Sequence, residues 1–361
     1  MRSKKKLKAL AEKAEKATTV DEPGMRQLKA EIRRLHNLLR KARSGEALIV
    51  DAVREVYEIP VDLELPKRPQ KAKRKKLKEE AWLHVSDTQI GKRTSTYSTE
   101  VARERLMMLA EKTIEVANIR RASANVDTLH ILFGGDMIEG ETIFAGQAWS
   151  VDSDLFDQAV KNGPAMLSQM VLRLAEEFPN VKISTVPGNH GRSGPRNSGV
   201  SKRTNWDNVL YEVTKLMVMG PEDSTRNKKM SKHIDFHISP RWYTVQNVAG
   251  WGILGVHGDT IRSSLGFPWY GVGKKAFGWI DSIPEEWTYL ALGHFHTYAT
   301  AVMNKRIMLA NGTTESDNTY AQSELAAAGD PCQRLAFFER KHGMISDTPI
   351  FLGGNRKPDY D

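Results

Sequence analysis

At 361 residues with 40% apolar side chains, the chain is long enough for one large α/β domain and an appendage of ordinary globular composition. No apolar run reaches the ~18 residues of a membrane span; the N-terminal MRSKKKLKAL lacks the apolar core of a secretory signal, and the single cysteine, Cys332, excludes an internal disulfide framework. These features predict a cytoplasmic protein with no membrane association. The formal net charge is +9, yet residues 1–80 alone carry a surplus of 10 positive charges, which suggests local contact with a polyanion such as nucleic acid or, alternatively, a solubilising tail.

Taken in chain order, residues 1–59 form a basic, helical N-terminal segment. Within it Met25, Leu28, Ile32, Leu35, Leu39 and Ala42 alternate three and four apart, an a/d seam with Arg and Lys outside it. Self-pairing of residues 25–42 would make a homodimer; packing on the chain's own body is the alternative. After the Ser44-Gly45 break, Leu48, Ile49, Ala52 and Val53 suggest a further helical turn or two. Residues 60–80, with Pro60, Pro66, Pro69 and the run KAKRKKLK, read as a linker. From residue 81 to 352 the pattern is that of a single α/β domain, followed by a polar tail, 353–361.

Within that domain strands are expected at 81–86, 128–134 and 181–187, and helices at 100–121, 153–178 (kinked at Gly163-Pro164) and 206–219. Strand-like segments then dominate: 233–238, 242–248, 252–257, 288–293, 298–303, 306–310 and 334–339. Alternating βαβ followed by many strands implies a layered α/β domain with extensive sheet.

The chemistry sits at strand ends. The first three strands exit into Ser86-Asp87-Thr88-Gln89, Gly134-Gly135-Asp136 and Pro187-Gly188-Asn189-His190, and two later ones into Val256-His257-Gly258-Asp259 and Gly293-His294-Phe295-His296. Ligands of α/β sheets bind beyond the carboxyl ends of strands, so five such exits can converge on one site. Asp, Asn, Gln and His offer oxygen and nitrogen donors without thiolate, a set suited to Mn²⁺, Fe²⁺, Zn²⁺ or Mg²⁺. A lone HxH or GD pair is usually structural; five clusters in this order point to a metal site. His84 and His130, inside strands, read as core histidines, Glu139 and Glu141 either support the metal ligands from behind or are merely solvated, and Gly271-Val272-Gly273-Lys274 lacks the spacing of a phosphate loop.

Across roughly residues 81–340 these motifs resemble the calcineurin-like metallophosphoesterase family, whose D-x-H, G-D, G-N-H, H and G-H-x-H read here as DTQ (87–89), GGD (134–136), GNH (188–190), VHGD (256–259) and GHFH (293–296). The resemblance implies a two-sheet sandwich flanked by helices with a dinuclear metal centre at the sheet edge. By position it assigns Asp87, Gln89, Asp136 and His296 to a first metal and Asp136, Asn189, His257 and His294 to a second, with Asp136 bridging. It makes His190 the catalytic histidine. Gln89 departs from the family's histidine, and its neutral amide oxygen, a weaker donor than imidazole, implies weaker occupancy of the first metal position or a preference for Mn²⁺ over Zn²⁺ there. The implied reaction is in-line attack by a metal-bound hydroxide on a phosphoester, with two metals about 3.5–4 Å apart.

For the substrate, Arg192, Arg196, Lys202 and Arg203 follow His190 in a glycine-rich loop. Lys274 and Lys275 lie among Phe267, Trp269, Tyr270, Phe277 and Trp279 in a stretch otherwise read as a long loop. Cations for phosphates beside aromatics for stacking suit a nucleic acid, DNA in particular, and hence a nuclease; the family resemblance implies the DNA-repair nuclease branch only as one of several that share these metal motifs. The alternatives are a small-molecule phosphoesterase acting on cyclic nucleotides or nucleotides, and a non-catalytic nucleic-acid-binding protein with a degraded metal site.

Overall fold

The computed structural model describes residues 25–26, 28–39, 77–144, 146–194, 202–262, 267–316 and 330–353, and the chain divides into two compact units, Met1–Arg74 and Lys75–Asp361. In the first unit residues 28–39 are helical, with Leu28, Leu35 and Leu39 of the heptad seam 58%, 52% and 41% exposed. The rest of the seam's C-terminal end, the turns expected near Leu48–Val53, most of the KAKRKKLK run and nearly all of the polar tail lie outside the described residues.

The second unit is an α/β sandwich of two mixed sheets. The first runs in the order β11-β10-β1-β2-β3-β4, with β1 (Leu77–Val85), β2 (Ala124–Phe133), β3 (Asn180–Thr185) and β4 (Ile234–Ile238) mutually parallel and β10 (Cys332–Glu339) and β11 (Gly343–Phe351) antiparallel additions. The second runs β5-β6-β7-β9-β8, in which β6 (Trp251–Val256), β7 (Tyr289–Leu292) and β9 (Arg306–Ala310) are parallel. β5 (Tyr243–Val248) and β8 (Ala299–Met303) close its edges antiparallel.

Side-chain alternation along each strand builds the layers. Ala81, Leu83 and Val85 of β1 and Leu129, Ile131 and Phe133 of β2 face α1 (Thr99–Arg121), α2 (Gly163–Glu177) and α3 (Trp206–Met219), making one core. The alternate residues Trp82 and Leu132 meet Ile253, Tyr289, Ala291 and Leu309 in a second core between the sheets. On the far side Leu254, Val256, Leu290 and Leu292 receive α5 (Trp269–Ser282) through Val272, Ala276 and Trp279. A short α4 (Thr225–Met230) precedes β4.

Several details depart from the sequence reading. The first strand begins at Leu77, four residues early and inside the stretch read as linker. The break before Gly163-Pro164 is a π-helical turn, Asp157–Asn162, rather than a simple kink. Pro164 has no N–H to continue the ladder, and a Cβ on Gly163 would lie 2.1 Å from the Gln158 carbonyl oxygen, so the turn and the glycine fit each other. The aromatic stretch read as a loop contains helix α5, and β11 was not expected.

Candidate metal centre

The parallel strands of both sheets end on the same side, and their exits supply the site. β1 leads into Asp87 and Gln89, β2 into Asp136, β3 into Asn189 and His190, β6 into His257 and β7 into His294 and His296. A sixth exit, from β9, brings Glu315, which the sequence reading missed.

Asp136 is the hub. Its Oδ2 lies 2.9 Å from His257 Nε2 and 4.0 Å from His190 Nε2, and its Oδ1 accepts the His190 backbone N–H at 2.7 Å. Asp136, His257 and His294 present ligand atoms all within 4.8 Å of one another, a spacing that can hold a cation. His257 Nε2 also meets Asn189 Oδ1 at 3.2 Å. On the other side His296 Nε2 stands 3.3 Å from Asp87 Oδ1, while both Asp87 oxygens accept the His294 N–H, at 2.9 and 3.0 Å.

Three of the imidazoles are oriented alike. His257 Nδ1–H donates to the Gly134 carbonyl at 2.9 Å, His190 Nδ1–H to the Glu139 carbonyl at 2.8 Å, and His296 Nδ1–H to Glu315 Oε1 at 2.7 Å. An outward Nδ1–H fixes the tautomer and leaves Nε2 facing the carboxylates, as metal-ligating histidines require.

Gln89 is fully buried, and among the described residues neither its Oε1 nor its Nε2 has a hydrogen-bond partner. A buried amide without partners costs about 1–3 kcal/mol, and an oxygen donor of this kind fits a cation. The residues present therefore fit a divalent metal: carboxylates, amide oxygens and Nε2 lone pairs with no sulfur.

Electrostatics follow the same map. Burial opposes ionisation of Asp136, but His257 and His190 outweigh it and hold its carboxyl well below the usual range. Burial likewise disfavours charged His190 and His257; Asp136 prevails and pushes them up to about 9 and about 10. His296 is pushed to about 10 by Glu315 and Asp87 against the effect of burial, whereas burial and the neighbouring His257 lower His294 to about 4.

Asp207 organises the loops and was not foreseen. Its carboxylate accepts the backbone N–H groups of Asp136 (2.9 Å), Met137 (3.2 Å), Ile138 (3.4 Å) and Gly188 (2.8 Å), tying the β2 and β3 exits together. A Cβ on Gly188 would lie 2.1 Å from Asp136 Oδ1, so the two loops approach at a distance that only glycine allows. At the start of α3, Asp207 reads in sequence as an ordinary helix-start acid. Glu315 has no sequence signal at all.

The expected substrate cations are placed less uniformly. Arg192 donates to the Ile143 carbonyl at 3.0 Å, Lys202 is paired with Asp259 at 2.6 Å, and Arg203, Lys274 and Lys275 are exposed, the two lysines on α5. Arg196 lies outside the described residues.

No family model matches the sequence, and no curated protein matches it. Among solved structures, the chain is similar in fold to vacuolar protein sorting 29 of Cryptosporidium parvum, at 13% identity and a TM-score of 0.34, covering 76% of this chain and 98% of that one. It is similar also to a predicted phosphoesterase of Streptococcus pneumoniae (12%, TM-score 0.28, 75% and 98% covered) and to an archaeal phosphodiesterase (11%, TM-score 0.35, 75% and 99% covered). At these values the likeness is distant, and both the fold and the chemistry rest on the strands, helices and side-chain geometry described above.

Proposed function

We propose that the chain is a metal-dependent phosphodiesterase acting on DNA, at a centre that takes two divalent cations, manganese foremost. The observation that carries this reading is the convergence of parallel-strand exits from both sheets on Asp136, with His257, His190 and His296 each anchored outward through Nδ1. Asp87, Gln89, Asp136 and His296 would hold one cation, and Asp136, Asn189, His257 and His294 the other. When bound, the cations lower the pKa of water and neutralise charge on the phosphoryl oxygens.

The chain's own residues do the rest. Asp207 fixes the two loops that carry Asp136 and Asn189, so the ligands need no rearrangement. His190 Nε2 faces the centre while its Nδ1–H stays committed to Glu139, which leaves Nε2–H as the proton to hand to a departing alkoxide. Arg192, Arg196, Lys202, Arg203, Lys274 and Lys275 would meet the phosphates flanking the scissile bond. A second reading, a phosphodiesterase of small nucleotides, is favoured by the engagement of Lys202 with Asp259 and of Arg192 with the Ile143 carbonyl.

The test is Mn²⁺-dependent hydrolysis of single- and double-stranded DNA, cyclic nucleotides and bis-p-nitrophenyl phosphate, with Asp136→Ala as control. DNA cleavage that vanishes in the control is expected. Turnover of the small substrates alone would establish the second reading, and bound metal without turnover would leave a binding protein. His190→Ala is expected to retain metal and lose about 10²–10⁴ of the rate; a variant at wild-type rate would remove His190 from the proton step.

A further inference from the structure

Lys92 lies on the loop after β1, its side chain 15% exposed, between two carboxylates that are 2% and 1% exposed. Its Nζ is 2.5 Å from Glu315 Oε2 and 4.0 Å from Glu139 Oε2. Each glutamate faces a different histidine. Glu315 Oε1 accepts His296 Nδ1–H at 2.7 Å; Glu139 Oε2 is 3.4 Å from His190 Nδ1, whose N–H already donates to the Glu139 carbonyl. Gln147 Nε2 donates at 3.0 Å to Glu139 Oε1, while the buried Oε2 has no hydrogen-bond partner among the described residues and faces the Lys92 ammonium across 4.0 Å.

Two buried carboxylates so placed repel each other, and a single ammonium between them relieves both. The chain His296–Glu315–Lys92–Glu139–His190 runs outside the ring of candidate ligands and joins an imidazole that would bind metal to one that would donate a proton. The Glu315 carboxylate on His296 Nδ1 makes Nε2 a better lone-pair donor and fixes its direction, which is how an outer residue governs a metal ligand, while Glu139 fixes the His190 ring through its carbonyl.

We infer that Lys92 is a positioning residue that couples the two functional histidines, setting His296 through Glu315 and His190 through Glu139. The inference deepens the metallophosphodiesterase reading and rests on it. A stabilising ion cluster alone would alter melting without touching metal affinity or kcat selectively. Coupling makes a sharper demand: removing Lys92 must be felt on both sides, whereas removing one glutamate falls chiefly on one.

The experiment uses the full chain, with Mn²⁺ affinity measured by calorimetry and kcat and KM for bis-p-nitrophenyl phosphate measured at saturating Mn²⁺. Lys92→Met is expected to weaken Mn²⁺ binding about 10–100-fold and to lower kcat by a similar factor, with KM little changed. Glu315→Gln should fall mostly on affinity and Glu139→Gln mostly on kcat. Because Lys92→Met leaves two buried carboxylates face to face, Lys92→Met/Glu315→Gln is made beside it. The double variant removes one of the carboxylates and is read against Glu315→Gln: it should match that variant in Mn²⁺ affinity and fall below it in kcat, and an equal kcat would overturn the coupling. Wild-type Mn²⁺ affinity in a folded Lys92 variant, or a loss confined to one of the two quantities, would overturn the coupling. A wild-type chain that binds no Mn²⁺ would overturn the metal centre itself, and the coupling with it.

Discussion

Five candidate ligands, Asp87, Gln89, Asp136, His294 and His296, hold φ between +46° and +68°, the left-handed region that side chains with a Cβ rarely adopt. Each such residue costs on the order of 1–3 kcal/mol and persists where its surroundings over-determine it. Here they do: Asp87 N–H donates to the Gly135 carbonyl, Gln89 N–H to the Asp136 carbonyl, and Asp207 and Asp87 gather further backbone donors. The site is thus set ahead of any ligand, at the expense of stability. Gln89 is the position where that tension is most open to measurement. Gln89→Leu keeps the volume and removes a buried amide that lacks partners among the described residues. In EDTA the variant is expected to be more stable than wild type, by about 1–3 kcal/mol in urea unfolding. In Mn²⁺ the order should reverse or close, because the variant has lost an oxygen donor. A variant less stable than wild type in EDTA would mean that the amide serves the fold, not a cation.

Between elements, polar contacts pin the two sheets where the apolar core alone would let them slide. Gln246 of β5 accepts from Trp82 Nε1 at 2.8 Å and donates to the Ile131 carbonyl at 3.0 Å, crossing from the second sheet to β1 and β2. Glu80 of β1 bonds His130 Nε2 at 2.8 Å and accepts the Ala249 N–H from the β5–β6 turn at 2.9 Å. The hydrogen bond from His130, helped by that from Ala249 and opposed by burial, lowers the Glu80 carboxyl to about 2. A carboxyl depressed by folding contributes stability above its unfolded value of 4.5 and loses it as pH falls toward 2. Glu80→Gln is therefore expected to cost about 1–2 kcal/mol at pH 7, with the gap to wild type closing between pH 4.5 and 2; a gap independent of pH would assign the loss to packing. These bridges also mark what the sequence could convey. Period-2 alternation and helical periodicity located most strands and α1 to α3, and the polar strand exits drew together Asp87, Asp136, Asn189 and the histidines. Helix α5 escaped because Gly271, Gly273 and Gly278 sit among its buried Val272, Ala276 and Trp279, and interior glycines argue against a helix. Strand β11 escaped because Pro349 is tolerated only at a sheet edge, where it lies, and edge position is a tertiary fact. Glu315 and Lys92 pair across 223 residues and Asp207 reaches Asp136 across 71, pairings no local pattern encodes.

For the whole molecule, charge and chemistry occupy different parts of the chain. The second unit, Lys75–Asp361, holds every candidate ligand, whereas nearly all the surplus positive charge falls before it. The described residues contain no helix long and apolar enough to cross a membrane. On the nucleic-acid reading the first unit adds cations that neutralise phosphates without touching the reaction. A truncation test must respect the fold: because β1 starts at Leu77 and pairs with both β2 and β10, a cut at residue 80 would remove part of a central strand, while a chain starting at Lys75 keeps it. Residues 75–361 are expected to melt cooperatively and to hydrolyse bis-p-nitrophenyl phosphate at the full-length rate. For every phosphate that the shortened chain leaves unneutralised, the slope of log affinity against log salt should shrink by about 0.9 on duplex DNA. DNA affinity at low salt should fall and its salt dependence flatten, while the two chains converge as salt rises. Equal slopes for the two chains would make the basic segment a solubilising arm and shift DNA binding to Arg192, Lys202, Arg203, Lys274 and Lys275. Failure of a folded truncation to turn over the small substrate would instead make residues 1–74 necessary for turnover itself.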